Sequence, residues 1–478
     1  MTDAFAQGWE ALQSIPHLRA WITGLWATYI AILAVWIVWE KREPVATLSW
    51  LFALALLPVL GFVVYYLFGP RRIRRQQLRR MRSRALLAEY SGDGGDSDER
   101  HTQLARLALR ITGLPPMRAR HPKLLEDGEN AYPAMLAAIA QAKHHIHLAT
   151  YIYAADETGK TFRDALVARA KAGVHVRLLI DSIGSSSLGN AFFRELVEAG
   201  GEVAWFHPIK FRLLRWPSLN HRSHRKILVV DGTTGFTGGI NITDTQDSRR
   251  RPDAFRDIHL RLEGHAVRGL QLVFLEDWAY ATGTVLRDMR LWPQPDGRGA
   301  LSLVAPSGPD SDWEAIHRIQ LELIHGAIER VYLVTPYFVP TPAARLALTN
   351  AALRGVDVRV LVPRRSDSRL VSAAARSYFS ELLVAGVKVY EYLPSMLHTK
   401  ALLVDADQVF IGSANFDNRS FRVNFELSVQ IRDLTLAEQL LRAYEGYEDD
   451  SRPAREDDVA PWPQRLLDAF ARLLSPLL

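Results

Sequence analysis

The chain contains no cysteine. Disulfide staples, thiolate nucleophiles and Cys-based zinc or iron–sulfur sites are therefore excluded. It also lacks a basic surface overall, although its formal net charge is +6. Eight of the 58 Lys and Arg fall in residues 71–84 (RRIRRQQLRRMRSR), which hold no acid, and the 50 that remain face 52 Asp and Glu. The positive balance is one local run, whereas a nucleic-acid enzyme spreads positive charge around its cleft. Charge is absent from two stretches near the N-terminus, residues 21–39 and 45–68. At about 1.5 Å per helical residue, each matches a hydrocarbon core of roughly 30 Å. Pro58 and Gly61 lie inside the second and are tolerated in membrane helices. The short loop Glu40–Glu43 joins the two into a predicted helical hairpin. A signal peptide is disfavoured: the first twenty residues hold a single Arg and no small-residue cleavage site follows.

The Arg run directly follows the second stretch. The positive-inside rule then predicts that it, and all that follows, is cytoplasmic. It also suits anionic head groups, though a topology signal alone explains it equally well. Residues 91–99 (SGDGGDSDE) read as a linker. Beyond it, strand-like runs such as HIHLATYIY (145–153), VHVRLLID (174–181) and EVAWF (202–206) alternate with helical patterns, which argues for α/β layers.

This second part repeats itself. AGVHVRLLID (172–181) resembles RGVDVRVLVP (354–363), and AGGEVAWFHP (199–208) resembles AGVKVYEYLP (385–394). HRKILVVDGTTGFTGGIN (224–241) resembles HTKALLVDADQVFIGSAN (398–415). The order is the same in both copies, so the expected architecture is a membrane hairpin (1–70), a basic segment and linker (71–100), and two duplicated α/β/α domains, 101–290 and 291–460, in a pseudo-twofold pair. A shared site would lie at their interface. Residues 461–478 space Leu466, Leu467, Phe470, Leu473 and Leu474 along one helical face, which suits either a membrane surface or packing on the domain.

Each copy holds one dense polar motif. His224, Lys226, Asp231, Gly238, Gly239 and Asn241 follow H-x-K-x4-D-x6-G-G-x-N; His398, Lys400, Asp405, Gly412, Ser413 and Asn415 follow the same pattern with Gly-Ser. Residues two apart on a strand share a face, so each His points with its Lys. The small residues let a phosphate or backbone approach. Two such sets across a twofold place two His, two Lys and two Asn around one centre, a phosphate site with a nucleophile on one side and an acid on the other.

These motifs resemble the paired HKD motifs of the phospholipase D superfamily. The similarity to its bacterial cardiolipin synthase branch extends to the hairpin, TPYFVP (335–340), DNRSFRVNFE (417–426) and the closing LLSPLL. Two departures stand beside it: Ser223 where that branch commonly has Asn, and Phe255 before Arg256-Asp257 where it often has Trp. The resemblance implies transfer of a phosphatidyl group between two phosphatidylglycerols, without metal or cofactor. His224 would be the nucleophile and His398 the acid/base, an order the residues themselves leave reversible. Lys226, Lys400, Asn241 and Asn415 would hold the phosphate. Asp231 and Asp405 belong to the catalytic set as motif members or else support loops. Gly239, Ser413, Asp257 and Glu426 are supporting candidates, with Asp257 and Glu426 placed to fix a histidine tautomer or merely to pair with Arg256 and Arg422. The implied location is a bacterial inner membrane, multi-pass, with phospholipid partners and no nucleic acid. A phospholipase D making phosphatidic acid would use the same residues, and a nuclease or a lipid-binding scaffold fits the whole chain less well.

Overall fold

The structure is a computed structural model that describes residues 18–39, 51–52, 102–207, 221–294, 297–455, 457–458 and 461–475. The chain divides into a unit comprising residues 1–71 and 212–220, and a second unit comprising the rest. In the first, Leu18–Trp39 is a helix. Trp21, Leu25, Ile32, Val35 and Trp39 are exposed on it. Among the described residues no helix is long and apolar enough to cross a membrane. The expected second span (45–68), the Arg run (71–84) and the linker (91–99) lie outside the described residues, apart from Leu51 and Phe52.

Among the described residues, the second unit is built on one sheet of fifteen strands. In the first copy, β2 (His145–Thr150), β3 (His175–Asp181) and β4 (Glu202–Phe206) run parallel. The helix Glu157–Lys171 crosses between β2 and β3, its first turn capped by Asp156 accepting from the Gly159 N–H. On the other side of β2 come β5 (Ile227–Val230), β6 (Thr234–Gly238), β7 (Ile258–Gly264) and β1 (Met117–Glu126), all antiparallel. The second copy repeats the order with β12 (Lys388–Tyr392), β11 (Asp357–Pro363), β9 (Arg330–Val334), β13 (Ala401–Val404), β14 (Gln408–Gly412), β16 (Glu426–Arg432) and β8 (Ala300–Ser307). The short edge strand β17 (Ser451–Pro453) follows β12, and β10 (Phe338–Val339) pairs with β15 (Phe416–Asp417) apart from the main sheet. The Ile-Leu-Val-Val and Ala-Leu-Leu-Val runs of β5 and β13 are buried throughout, as expected of strands covered on both faces.

The expected pair of α/β/α domains is thus present, but the two are fused through their sheets. β1 and β8 pair antiparallel at the centre, over Met117–Ala119 and Ala300–Ser302. Nothing in the repeat motifs foretells this seam, because β1 and β8 carry none of them. A largely buried helix, His265–Thr282, connects the two copies. Within it, Asp277 takes both carboxylate oxygens to Arg225 Nη1, at 2.7 and 2.8 Å. The segment Gln103–Thr112, expected with the first domain, instead buries Ala105 and Ala108 in the core of the second, and Ala471 of the C-terminal helix joins the same core.

Candidate active site

Each motif histidine sits just before its central strand, on a short stretch that pairs with the other copy. Ser223 bridges Phe425, and the His224 N–H donates to Phe425 O at 2.9 Å. Correspondingly Arg256 bridges Leu397, and the His398 N–H donates to Arg256 O at 2.7 Å. Both backbone pairings place the next residue, a carboxylate, against the opposite copy's ring. His224 Nδ1 lies 3.0 Å from Glu426 Oε2, and His398 Nδ1 lies 2.6 Å from Asp257 Oδ2. Asp257 and Glu426, expected as tautomer-fixing candidates, occupy that place. Each serves the histidine of the other repeat, which sequence spacing does not disclose. With Nδ1–H given to a carboxylate, Nε2 is the nitrogen left for chemistry.

The surroundings are dry. Asp257 and Glu426 are wholly buried, and both lysines are nearly so. Burial pushes His398 down to about 4, helped by the Lys400 charge and opposed by Asp257. Burial also lowers His224, against the pull of Glu426. Lys226 falls to about 7 and Lys400 to about 8, again through burial first. Burial pushes the two carboxyls up, but Lys400 and His398 outweigh it at Asp257, and His224 and Lys226 at Glu426, so both lie below their usual range. The lysine ammoniums curl back to the carbonyls of their own histidines: Lys226 Nζ donates to His224 O at 2.7 Å, and Lys400 Nζ donates to His398 O.

The small motif residues shape the carboxylate pockets differently in the two halves. A Cβ on Gly239 would meet Asp257 Oδ1 at 2.1 Å, so only glycine admits that carboxylate. In the second copy Ser413 Oγ instead donates to Glu426 Oε2 at 2.5 Å. Asn241 is fixed by its side-chain oxygen accepting from the Ile152 N–H at 3.1 Å. This leaves its amide N–H groups for a ligand. Asn415 Oδ1 is buried without a partner.

Asp231 and Asp405 lie elsewhere. Five residues along the strand from each lysine is about 16 Å. Both occupy left-handed turns, at φ 53° and 52°. Asp231 accepts the N–H groups of Lys143, His144 and His145, and Asp405 those of Ile328, Glu329 and Arg330. Of the two expected roles, this geometry matches loop support: the carboxylates brace the segments that enter β2 and β9.

Several participants went unnamed in the sequence. Gln246 Oε1 accepts from the Asn241 N–H at 2.6 Å while its Nε2 donates to Asp257 at 3.0 Å. Ser420 Oγ accepts from the Asn415 N–H at 3.1 Å in the matching position, five residues on in both copies, and that shared offset was the available signal. Asn424 donates to Glu426 Oε1 at 3.1 Å. Tyr151 stands edge-on to His224 at 5.0 Å, and Phe255, singled out in the sequence only as a departure from the family pattern, packs near His398 at 5.9 Å. Arg225 holds the Glu426 carbonyl through Nε at 3.0 Å.

The family model described as "Cardiolipin synthase, PLD-like domain" matches residues 135–251 and 321–447, one motif in each match, and a model described as "Phospholipase_D-nuclease N-terminal" matches 28–70. A cardiolipin synthase of Alkalihalophilus pseudofirmus is 38% identical across 96% of this chain and 95% of its own length. Cardiolipin synthase 2 of Bacillus cereus is 40% identical across 92% of this chain and 88% of its own. Among solved structures, a phosphatidylserine synthase of Haemophilus influenzae superposes with a TM-score of 0.61 at 16% identity, covering 79% of this chain and 100% of that one, a likeness of fold. The chain belongs to the cardiolipin synthase family of phospholipase D-like proteins.

Proposed function

We propose that the protein is a cardiolipin synthase that moves a phosphatidyl group from one phosphatidylglycerol to a second, releasing glycerol. The observation that carries this is the pair of buried histidines, each with Nδ1 bonded to a carboxylate and each beside a lysine, in a chain about two-fifths identical to cardiolipin synthases over nearly its whole length.

His224 Nε2 attacks phosphorus, and the P–O bond to glycerol breaks. His398 gives its Nε2 proton to the leaving oxygen. The second lipid's glycerol hydroxyl then loses its proton to His398 and attacks phosphorus, and the P–N bond breaks. The charges support the order of events. On the acid side of Lys226's value of about 7, two ammoniums balance Asp257 and Glu426, and burial favours the unprotonated form of both imidazoles, so the empty centre is neutral. A phosphodiester brings one negative charge, and one proton on His398 restores the balance. The acid is thus armed by the substrate that needs it. Lys226, Lys400 and the amides of Asn241 and Asn415 spread the charge on the non-bridging oxygens. Asp231 and Asp405 keep the motif strands in register with the loops beneath.

The N-terminal unit serves as a two-span membrane anchor with the catalytic unit on the cytoplasmic side. Its support is the pair of uncharged stretches, the Arg run after them and the match over 28–70. A reporter fused to the C-terminus and found outside the cytoplasm would overturn that topology.

The activity is tested with detergent-purified protein and labelled phosphatidylglycerol, His224→Ala beside wild type. Cardiolipin and glycerol in equal amounts, both absent with the variant, support the reading. Phosphatidic acid alone replaces it with a hydrolase.

A further inference from the structure

The helix Trp462–Leu473 is held from one side only. Asp468 accepts from Arg376 Nη2 at 2.7 Å and Nε at 3.2 Å, and Ala471 is buried in the second copy's core. Arg472 donates to Ser377 O at 3.1 Å, and its guanidinium lies 4.6 Å over the Tyr378 ring. Just past the helix, Ser475 bonds Tyr378 OH at 2.8 Å, and its carbonyl accepts from Asn418 Nδ2 at 3.1 Å. These contacts fix the rotation of the helix about its axis. The other side cannot roll inward, and it is apolar: Trp462, Leu466, Leu467, Phe470 and Leu473 are 53–75% exposed. Residues at this spacing share one side of a helix.

Arg465 is exposed on the helix itself, and the helix it packs on, Arg369–Arg376, begins with exposed Arg369 and is preceded by exposed Arg365. The anchoring residue Asn418 follows Asp417, three residues beyond the motif Asn415, so the helix is tied to a wall of the candidate active site. A strip of twelve residues is ~18 Å long and ~10 Å wide, on the order of 200 Å². A stable dimer needs about 800 Å² from each partner, and two such faces would bring their arginines together. A bilayer surface has neither difficulty: it offers unlimited apolar depth and, with phosphatidylglycerol, anionic head groups at the rim.

We propose that this helix is an interfacial membrane-docking face, lying in the head-group region of the anionic leaflet so that the paired histidines meet lipid at the bilayer surface. This rests on the cardiolipin synthase reading for its purpose, but its test does not. The cysteine-free chain accepts single labels cleanly. Full-length Phe470→Cys and, as control, Gln464→Cys each carry an environment-sensitive fluorophore in vesicles of phosphatidylethanolamine and phosphatidylglycerol. The label at 470 is expected to shift to the blue and to be quenched by nitroxide on the lipid chains, and the label at 464 to be quenched from water. A label at 470 that remains in water overturns the proposal, as does one shielded by a second copy in intermolecular crosslinking. Independently, the Phe470→Glu/Leu473→Glu variant should lose about tenfold or more of its cardiolipin output from bilayers and less than about twofold from detergent micelles. Equal losses in both also overturn it. If wild type makes no cardiolipin in micelles, the functional reading fails instead, and the fluorescence still decides the docking face.

Discussion

Replacing Asp257 with Asn keeps the shape of the site and removes one charge from beneath His398. The carboxylate is wholly buried, 2.6 Å from His398 Nδ1, and further held by Gln246 at 3.0 Å and by the Ile258 N–H at 2.8 Å. Its task in the proposed cycle is to stabilise the imidazolium of the acid. Opposite charges ~4 Å apart at an effective dielectric near 20 attract by about 4 kcal/mol. Exchanging a charge-assisted hydrogen bond for a neutral one alone costs about 1–2 kcal/mol. A loss of about 2–4 kcal/mol in the transition state lowers kcat by roughly 30- to 1,000-fold. The sign of the pH effect follows. Asp257 favours the charged ring, so its removal lowers the pKa of His398 in the substrate complex, less acid is protonated at any given pH, and the alkaline limb moves to lower pH. The deficit should therefore be larger at pH 8 than at pH 6. Single-turnover release of labelled glycerol from phosphatidylglycerol, measured across pH, reads this directly. A folded Asp257→Asn protein with less than about a threefold loss and an unmoved alkaline limb would refute the reasoning.

Gly239→Ala places a methyl 2.1 Å from the same carboxylate. Activity should fall about a hundredfold or more as Asp257 is displaced from His398, and the matched Ser413→Ala, which removes a hydroxyl without adding bulk, should cost far less. Asp231→Ala and Asp405→Ala each strip the acceptor from three backbone N–H groups. The expected loss is about 2–4 kcal/mol of stability, seen as a lower urea midpoint, with kcat of the folded fraction changed less than about threefold. Burial holds His145, His221 and His259 near 4 rather than 6.5. Because the fold favours their neutral form, their contribution is complete above pH 6.5 and is lost as pH falls towards 4. The unfolding free energy from chemical denaturation should therefore drop by several kcal/mol between pH 7 and pH 5, and a flat profile would contradict it.

Much of the centre was legible because its chemistry is local. The H-x-K spacing puts both side chains on one face, and β5 and β13 appeared where the uninterrupted apolar runs lay. Asp257 and Glu426 were recognisable as carboxylates near the motifs. Which histidine each one serves depends on the pairing of Ser223 with Phe425 and of Arg256 with Leu397, contacts between segments about 140–200 residues apart that leave no periodicity behind. The aspartates read ambiguously for the opposite reason. They belong to the motif as text, yet strand geometry alone carries them to the far end of a strand. The helix Gln103–Thr112 was assigned to its neighbour in sequence, whereas its alanines are small enough to pack closely on the second copy.

The exchange of carboxylates between halves has an evolutionary consequence. Each repeat supplies a histidine and the carboxylate that orients the other repeat's histidine, so one repeat alone does not complete the pair. In a symmetric pair of identical chains the two histidines would be chemically equivalent, and either could begin the reaction. Joining the copies in one gene removed that constraint. Gly239 against Ser413, Gln246 against Ser420 and Arg225 against Thr399 record where the halves have since drifted apart within reach of the centre. Inheritance in one reading frame is what would permit the proposed division of one histidine as attacking group and the other as proton carrier.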